Sequence, residues 1–181
     1  MDKLQEDVRN TIGETSSLID ENDIQKLAYL KAVVKEVMRL HPPAPLMVPH
    51  ETTQKCNVVG YEIQPKTVVY INAWAIGRDP DSWKNPEEFF PERSLGSTID
   101  FNGKDFELIP FGAGRRGCPA IDLGVGMVEL ALTNLVYHFN WELPSGMKKE
   151  DIDMEVRPGI TMHKKNELCL VAKKYSGCMN V

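Results

Sequence analysis

Residues 111–119 read Phe-Gly-Ala-Gly-Arg-Arg-Gly-Cys-Pro, and a densely apolar stretch over residues 120–137 follows at once. No other part of the chain limits its fold so tightly. Three glycines in six positions let the backbone turn where a side chain would obstruct it. The proline after the cysteine favours the first position of a helix, where its missing N–H would have had no partner anyway. The spacing therefore predicts a glycine turn feeding a helix from about Ala120 to Tyr137, with Cys118 near the helix N-cap. The positive end of that helix, with Arg115 and Arg116 beside it, suits a negatively charged sulfur.

Two chemistries fit such a loop. Residues 112–117 are a literal G-x-G-x-x-G, which read alone suggests a dinucleotide-binding turn with a pyrophosphate at the helix N-terminus. Glu142 even lies downstream as a ribose-binding acid. Against it, Pro110 falls in what would be the central strand, the upstream sequence reads as loop, and arginines fill both spacers between the second and third glycines. The other chemistry uses Cys118. Glycines 112, 114 and 117 allow the backbone close to something flat and large and leave N–H groups to point at sulfur. A thiolate ligand on heme iron needs that arrangement, because the sulfur pushes electron density toward the iron. A lone cysteine taken by itself is more often a buried structural side chain.

The rest of the chain reads as helix with small strands around it, an α+β arrangement dominated by helix. Leu4, Val8 and Ile12 mark the end of one helix, and residues 13–22 read as a polar connection. Leu27, Leu30, Val33, Val34, Val37 and Met38 mark the clearest helix, which Pro42 and Pro43 stop. Short strands are expected between Val48 and Ile71, with a turn at Gln64-Pro65-Lys66-Thr67. From Arg78 to Gly103 regular structure is not expected, and a stretch that long is usually functional or tightly packed. Two strand-like pieces, Ile160 to His163 and Leu168 to Ala172, joined through Lys164-Lys165-Asn166, are expected at the end.

Composition excludes other classes. The 181 residues carry 21 basic and 26 acidic side chains, net −5, with no footprint for nucleic acid. The longest uncharged apolar run, Leu130 to Trp141, is too short to span a bilayer, which takes about 20 residues. The first residues lack the apolar core of a signal peptide. The four cysteines form no C-x-x-C pair, and no histidine has a partner at zinc-ligand spacing. Cys178-Met179-Asn180-Val181 formally matches a prenylation box but has a polar Asn180, and it reads as a frayed tail.

Phe111, Gly114, Arg116 and Cys118 match the F-x-x-G-x-R-x-C signature of cytochromes P450, and the chain resembles that family over essentially its whole length. Glu36-Val37-Met38-Arg39 resembles the family's E-x-x-R. The run Asp79-Pro80, Trp83, Pro86, Phe89 and Pro91-Glu92-Arg93 resembles the meander before its heme loop. The tract from Asn72 to Arg78 and on through the cysteine is most similar to plant A-type members. Two positions depart from the family pattern: Ala120 stands for the usual glycine after the cysteine, and Ser94 for the usual phenylalanine after the meander arginine.

The resemblance implies the C-terminal part of the P450 fold over residues 1–181, without the distal helix. It implies heme b (iron protoporphyrin IX) ligated by Cys118, with Phe111, Gly112 and Gly114 beside it and Arg116 and His50 toward the propionates. It implies a buried triad of Glu36, Arg39 and Arg93, although on spacing alone Glu36 and Arg39 fit a surface ion pair equally well. Leu46, Met47, Val48, Ile160 and Thr161 fall in two segments that line the family's substrate pocket, and core packing explains them as well. The implied activity is insertion of one oxygen atom of O2 into a small, mostly apolar molecule, within plant secondary metabolism. Electrons would come from NADPH through a reductase, with Arg115 as a candidate contact. The full-length family sits on the cytosolic face of the endoplasmic reticulum membrane. A chain with no anchor of its own is expected in the cytosol, and a non-catalytic heme binder or an inert truncated product is the alternative expectation.

Overall fold

Leu30, Val34 and Met38 recur at helical spacing, and here the chain forms α3 (Ala28–Leu40), the helix on which the other elements assemble. His41 ends it at φ −129°, outside the helical region, because Pro42 follows. The computed structural model describes residues 1–13 and 19–177. Its other helices are α1 (Asp2–Ile12), α2 (Glu21–Ile24), α4 (Ala73–Ile76) and α5 (Ile121–His138). The strands are β1 (His50–Glu51), β2 (Cys56–Val58), β3 (Tyr61–Ile63), β4 (Val68–Val69), β5 (Phe139–Glu142), β6 (Val156–Arg157), β7 (His163–Lys164) and β8 (Val171–Lys174). The fold is mainly α with small sheets, as the sequence implied.

Among the described residues the strands pair into four two-stranded antiparallel sheets: β1 with β4, β2 with β3, β5 with β8, and β6 with β7. The two C-terminal strands do not form a hairpin with each other. The strand expected at Ile160 to His163 is only His163–Lys164, pairing back on β6, and β8 runs to Lys174 to pair with β5 at the end of α5. The tail from Cys178 to Val181 lies outside the described residues, as do residues 14–18 of the polar connection. No helix among the described residues is long and apolar enough to cross a membrane.

Two apolar clusters meet along α3. One joins Leu4 and Val8 of α1 to Leu27, Leu30, Val136 and Tyr137. The other joins Val34, Met38 and Val125, with Phe101, Phe111 and Ile121 against it. The last carbonyls of α5, which no helix can satisfy internally, are taken by α1. Gln5 donates to Phe139 at 2.7 Å, and Arg9 donates to Val136, Tyr137 and Phe139 at 3.1–3.2 Å. The Arg9 charge also sits at the negative end of the α5 dipole.

The opposite face of α3 is polar and buried. Glu36 and Arg39 are each 1% exposed. Both carboxylate oxygens of Glu36 accept from Arg39, at 2.8 and 2.9 Å, and Oε1 also accepts from Arg93 Nε at 3.0 Å and the Phe90 N–H at 2.9 Å. The remaining guanidinium N–H groups of Arg39 go to the carbonyls of Gly77, Pro86 and Glu88. Arg93 does the same for Lys84, Asn85 and Glu88. The irregular stretch from Arg78 to Ser94 thus has many of its backbone acceptors satisfied by two arginines instead of by a sheet.

Burial by itself would raise the Glu36 carboxyl. The bonds from Arg39, Phe90 and Arg93 outweigh it and hold the group below the ordinary carboxylate range. Its contribution to stability is therefore whole above the ordinary value of 4.5 and lost as the pH falls through the lower native value. Glu36→Ala should cost about 3–5 kcal/mol, since it strands two buried cations. Denaturant melts should show that loss, and the fall in melting temperature expected of the unaltered chain in acid should flatten in Glu36→Gln.

Candidate functional site

The loop over residues 109–118 is closed by its own backbone. Gly112 donates to Ile109 at 3.0 Å, Gly117 to Gly114 at 3.1 Å, and Cys118 to Phe111 at 2.9 Å. Gly112 at φ 75° and Gly114 at φ 66° are left-handed, which a side chain disfavours. Leu108 and Ile109, both buried, anchor the loop below. The helix starts later than the sequence predicted. Its N-cap is Ala120 and its first residue Ile121, so Pro119 precedes the cap and Cys118 lies two residues before it. The cause is local: the Cys118 N–H is already engaged by the Phe111 carbonyl, and a turn at Pro119-Ala120 separates that closure from the helix.

Facing this loop is the chain that leaves α3. Met47 donates to Ala44 at 3.1 Å with its own φ at 55°, and Trp74 of α4 donates to the Pro45 carbonyl at 3.2 Å. His50 opens β1, whose pairing with Val69 sets it on this side. Between the two walls lies a cleft of about 400 Å³. Phe111, Gly112, Arg116 and Cys118 line one side, and Met47, Val48 and His50 the other. Residues the sequence did not single out complete the lining: Pro43, Ala44, Ile71, Pro110 and Ala113. Pro43 and Ala44 follow directly from the double proline, which throws the chain across the mouth of the loop.

Four of the sequence candidates lie outside the lining. Gly114 shapes the turn and stays out of the cleft. Leu46 is 47% exposed, because the left-handed Met47 redirects the chain and gives the wall to Met47 and Val48. Ile160 and Thr161 are exposed and precede the short strand β7. Their segment reaches the site only through its neighbour, where Met162 donates to the Pro43 carbonyl at 2.7 Å. The Glu36 network stands apart from the cleft and acts through the backbone it holds.

The dinucleotide reading finds no support in the geometry, since residues 108–110 that precede the glycines are not a strand and the strands among the described residues pair only as two-stranded antiparallel sheets. The cleft has a different chemistry. It is mostly apolar, its one thiol is exposed, and Arg116 makes no ion pair or side-chain hydrogen bond among the described residues. A flat apolar group with an anionic edge and an atom that sulfur can ligate fits these residues.

Comparison with known proteins finds one family throughout. The family model described as Cytochrome P450 matches residues 1–171. Cytochrome P450 71A1 of Persea americana is 55% identical over 175 residues, covering 97% of this chain and 35% of the relative. Cytochrome P450 71B37 of Arabidopsis thaliana is 57% identical with the same coverage. A zebra fish cytochrome P450 solved with abiraterone superposes with a TM-score of 0.83 at 28% identity, covering 97% of this chain and 39% of that one. The chain thus spans about 35% of the length of the curated relatives it matches.

An alanine at position 112 would have room, with no heavy atom nearer than 3.8 Å, but not the conformation. Gly112→Ala should cost about 1–2 kcal/mol from the left-handed backbone alone. A thermal melt should show that drop.

Proposed function

The chain belongs to the cytochrome P450 family, and on that premise we propose that it forms the thiolate side of a heme monooxygenase, with Cys118 as the iron ligand. One observation carries the reading: an exposed thiol and an arginine unpaired among the described residues share a mostly apolar cleft with His50. Bound heme would supply a redox-active iron at which O2 is activated. Cys118 would hold the metal, and Phe111 would pack beside the sulfur. Arg116 and His50 would take the carboxylate edge. Met47 and Val48 would turn an apolar surface toward a small, mostly apolar substrate. Residues 1–181 are then one part of a P450 domain, with Glu36, Arg39 and Arg93 as its structural lock.

Arg115 is exposed and without an ion pair among the described residues, which suits contact with an acidic reductase that delivers electrons from NADPH. The matched relatives are plant proteins at over half identity, and by the family resemblance the full-length protein acts in plant secondary metabolism on the cytosolic face of the endoplasmic reticulum membrane.

A second reading has its own observation. α5 is apolar nearly all round, a pattern that belongs to a buried helix. Yet Leu123, Met127 and Leu135 are 67%, 64% and 45% exposed on it. The 181 residues alone leave an apolar stripe in water, which favours aggregation or partnering. By itself the chain is therefore a weak heme binder without coupled turnover.

Both readings are tested by fusing this chain behind the upstream remainder of the Persea relative. The reduced, carbon monoxide-treated fusion should show the far-red-shifted Soret band of thiolate ligation. Cys118→Ser should abolish the band, and Cys56→Ser or Cys169→Ser should keep it. A Cys118→Ser fusion with the band intact would refute the ligand assignment. Substrate-coupled NADPH consumption is expected from the fusion and not from the chain alone, and equal rates would sink the second reading.

A further inference from the structure

We propose that the loop over residues 99–105 is a buttress for the cysteine loop, with Phe101 and Gly103 as positioning residues and Lys35 as the tether to α3. The proposal rests on the reading of Cys118 as the iron ligand. Three contacts carry it, each made by a different part of the same short loop.

The first is aromatic. Phe101 meets Phe111 edge to face, with ring centroids 5.8 Å apart at 68°. Phe111 is the residue whose carbonyl holds the Cys118 N–H at 2.9 Å. The second is a close approach of backbone. Gly103 lies at φ 80°, and a Cβ built there would stand 3.1 Å from both the Gly112 carbonyl oxygen and the Ala113 Cα. That is inside the ordinary contact distance of about 3.5–4.0 Å. The third ties the loop down. Lys35 Nζ donates to the Ile99 carbonyl at 2.8 Å and stands 3.5 Å from Asp100 Oδ1. The loop is also stiffened internally, since Asp100 donates its N–H to Asp105 at 2.8 Å and Lys104 donates to Asn102.

The consequence is geometric. A single side chain that must meet a metal needs its loop held within a fraction of an ångström by packing around it. The cysteine loop has only short turns of its own, and Cys118 is not yet inside α5. Phe101 presses on Phe111, Gly103 fills the space behind Gly112 and Ala113, and α3 anchors both through Lys35. α3 therefore holds the irregular meander with Glu36 and Arg39, and the cysteine loop with their neighbour Lys35.

Gly96 supplies an internal control. It sits at φ 74° in the same connecting stretch, and an added Cβ there meets nothing within 4 Å. Gly96→Ala and Gly103→Ala thus carry the same backbone penalty, and only the second pushes on the cysteine loop. In the fused holoprotein, Gly103→Ala and Phe101→Ala should convert most of the thiolate-type Soret band of the ferrous carbonyl form to the band of a displaced or protonated sulfur. Gly96→Ala, matched to Gly103→Ala by its fall in melting temperature, should keep the band. Phe101→Tyr, which retains the ring, should keep it as well, and Lys35→Met should lose part of it. In the heme-free chain, alkylation of Cys118 relative to Cys56 and Cys169 should change in Gly103→Ala and stay unchanged in Gly96→Ala. Equal bands and equal alkylation in Gly103→Ala and Gly96→Ala would overturn the buttress while leaving the ligand assignment standing. A band that survives Cys118→Ser would remove the ligand assignment, and the buttress with it.

Discussion

The Glu36 carboxylate is the interaction on which the rest of the structure depends. It accepts four hydrogen bonds, from Arg39 twice, from Arg93 and from the Phe90 backbone, three of them at Oε1 and one at Oε2. Arg39 uses all five of its N–H groups, two on Glu36 and three on backbone carbonyls. A buried ion pair is by itself poor evidence of stability, because desolvation can cancel the attraction. This one also converts unpaired carbonyls of a long irregular segment into satisfied ones. Without it the segment from Arg78 to Ser94 would have to unfold, pair as strand, or carry buried orphan acceptors.

What the sequence made legible divides by range. α3 and α5 were readable because apolar spacing and the double proline are local facts, and their bounds moved by only a residue or two. The glycine turn was readable because glycines next to Cys-Pro admit few backbones. The pairing of β8 with β5 was not readable, since its partner is far upstream at the end of another helix, and Tyr175 is placed there by stacking on Arg9 at 3.7 Å. The choice of Met47 over Leu46 for the wall depended on one residue entering the left-handed region, which methionine rarely signals. Phe101 was missed because a lone aromatic in a loop has no period. The neighbouring Asn102-Gly103 pair did mark a turn, and a turn that close in sequence to the cysteine loop was the available hint.

Charge use in the chain follows the same logic. The balance is acidic at −5, yet three of the arginines are turned inward onto backbone carbonyls. Arg9 closes the end of α5, and Arg39 and Arg93 serve the meander. These are fixed guanidinium forks matched to several acceptors at once, which a lysine matches poorly. Arg115 and Arg116 differ from all three in having no side-chain acceptor among the described residues. Two adjacent arginines without acceptors among the described residues, beside the one cysteine that lines the cleft, are what the proposed reading needs for an anionic edge and an acidic partner.

On the proposed reading of Cys118 as the iron ligand, the architecture separates two demands that a metal ligand places on a chain. The ligand must be exposed to its metal, so Cys118 cannot be held by burial. It must also be immobile, which for most side chains is the result of burial. Here the holding is displaced onto neighbours. Phe111 keeps the Cys118 backbone through its carbonyl, Phe101 and Gly103 sit behind Phe111 and Gly112, and α3 stands behind both. The sulfur itself is left free, and its freedom is only apparent: the atoms that determine where it can go are the partly buried ones one layer back.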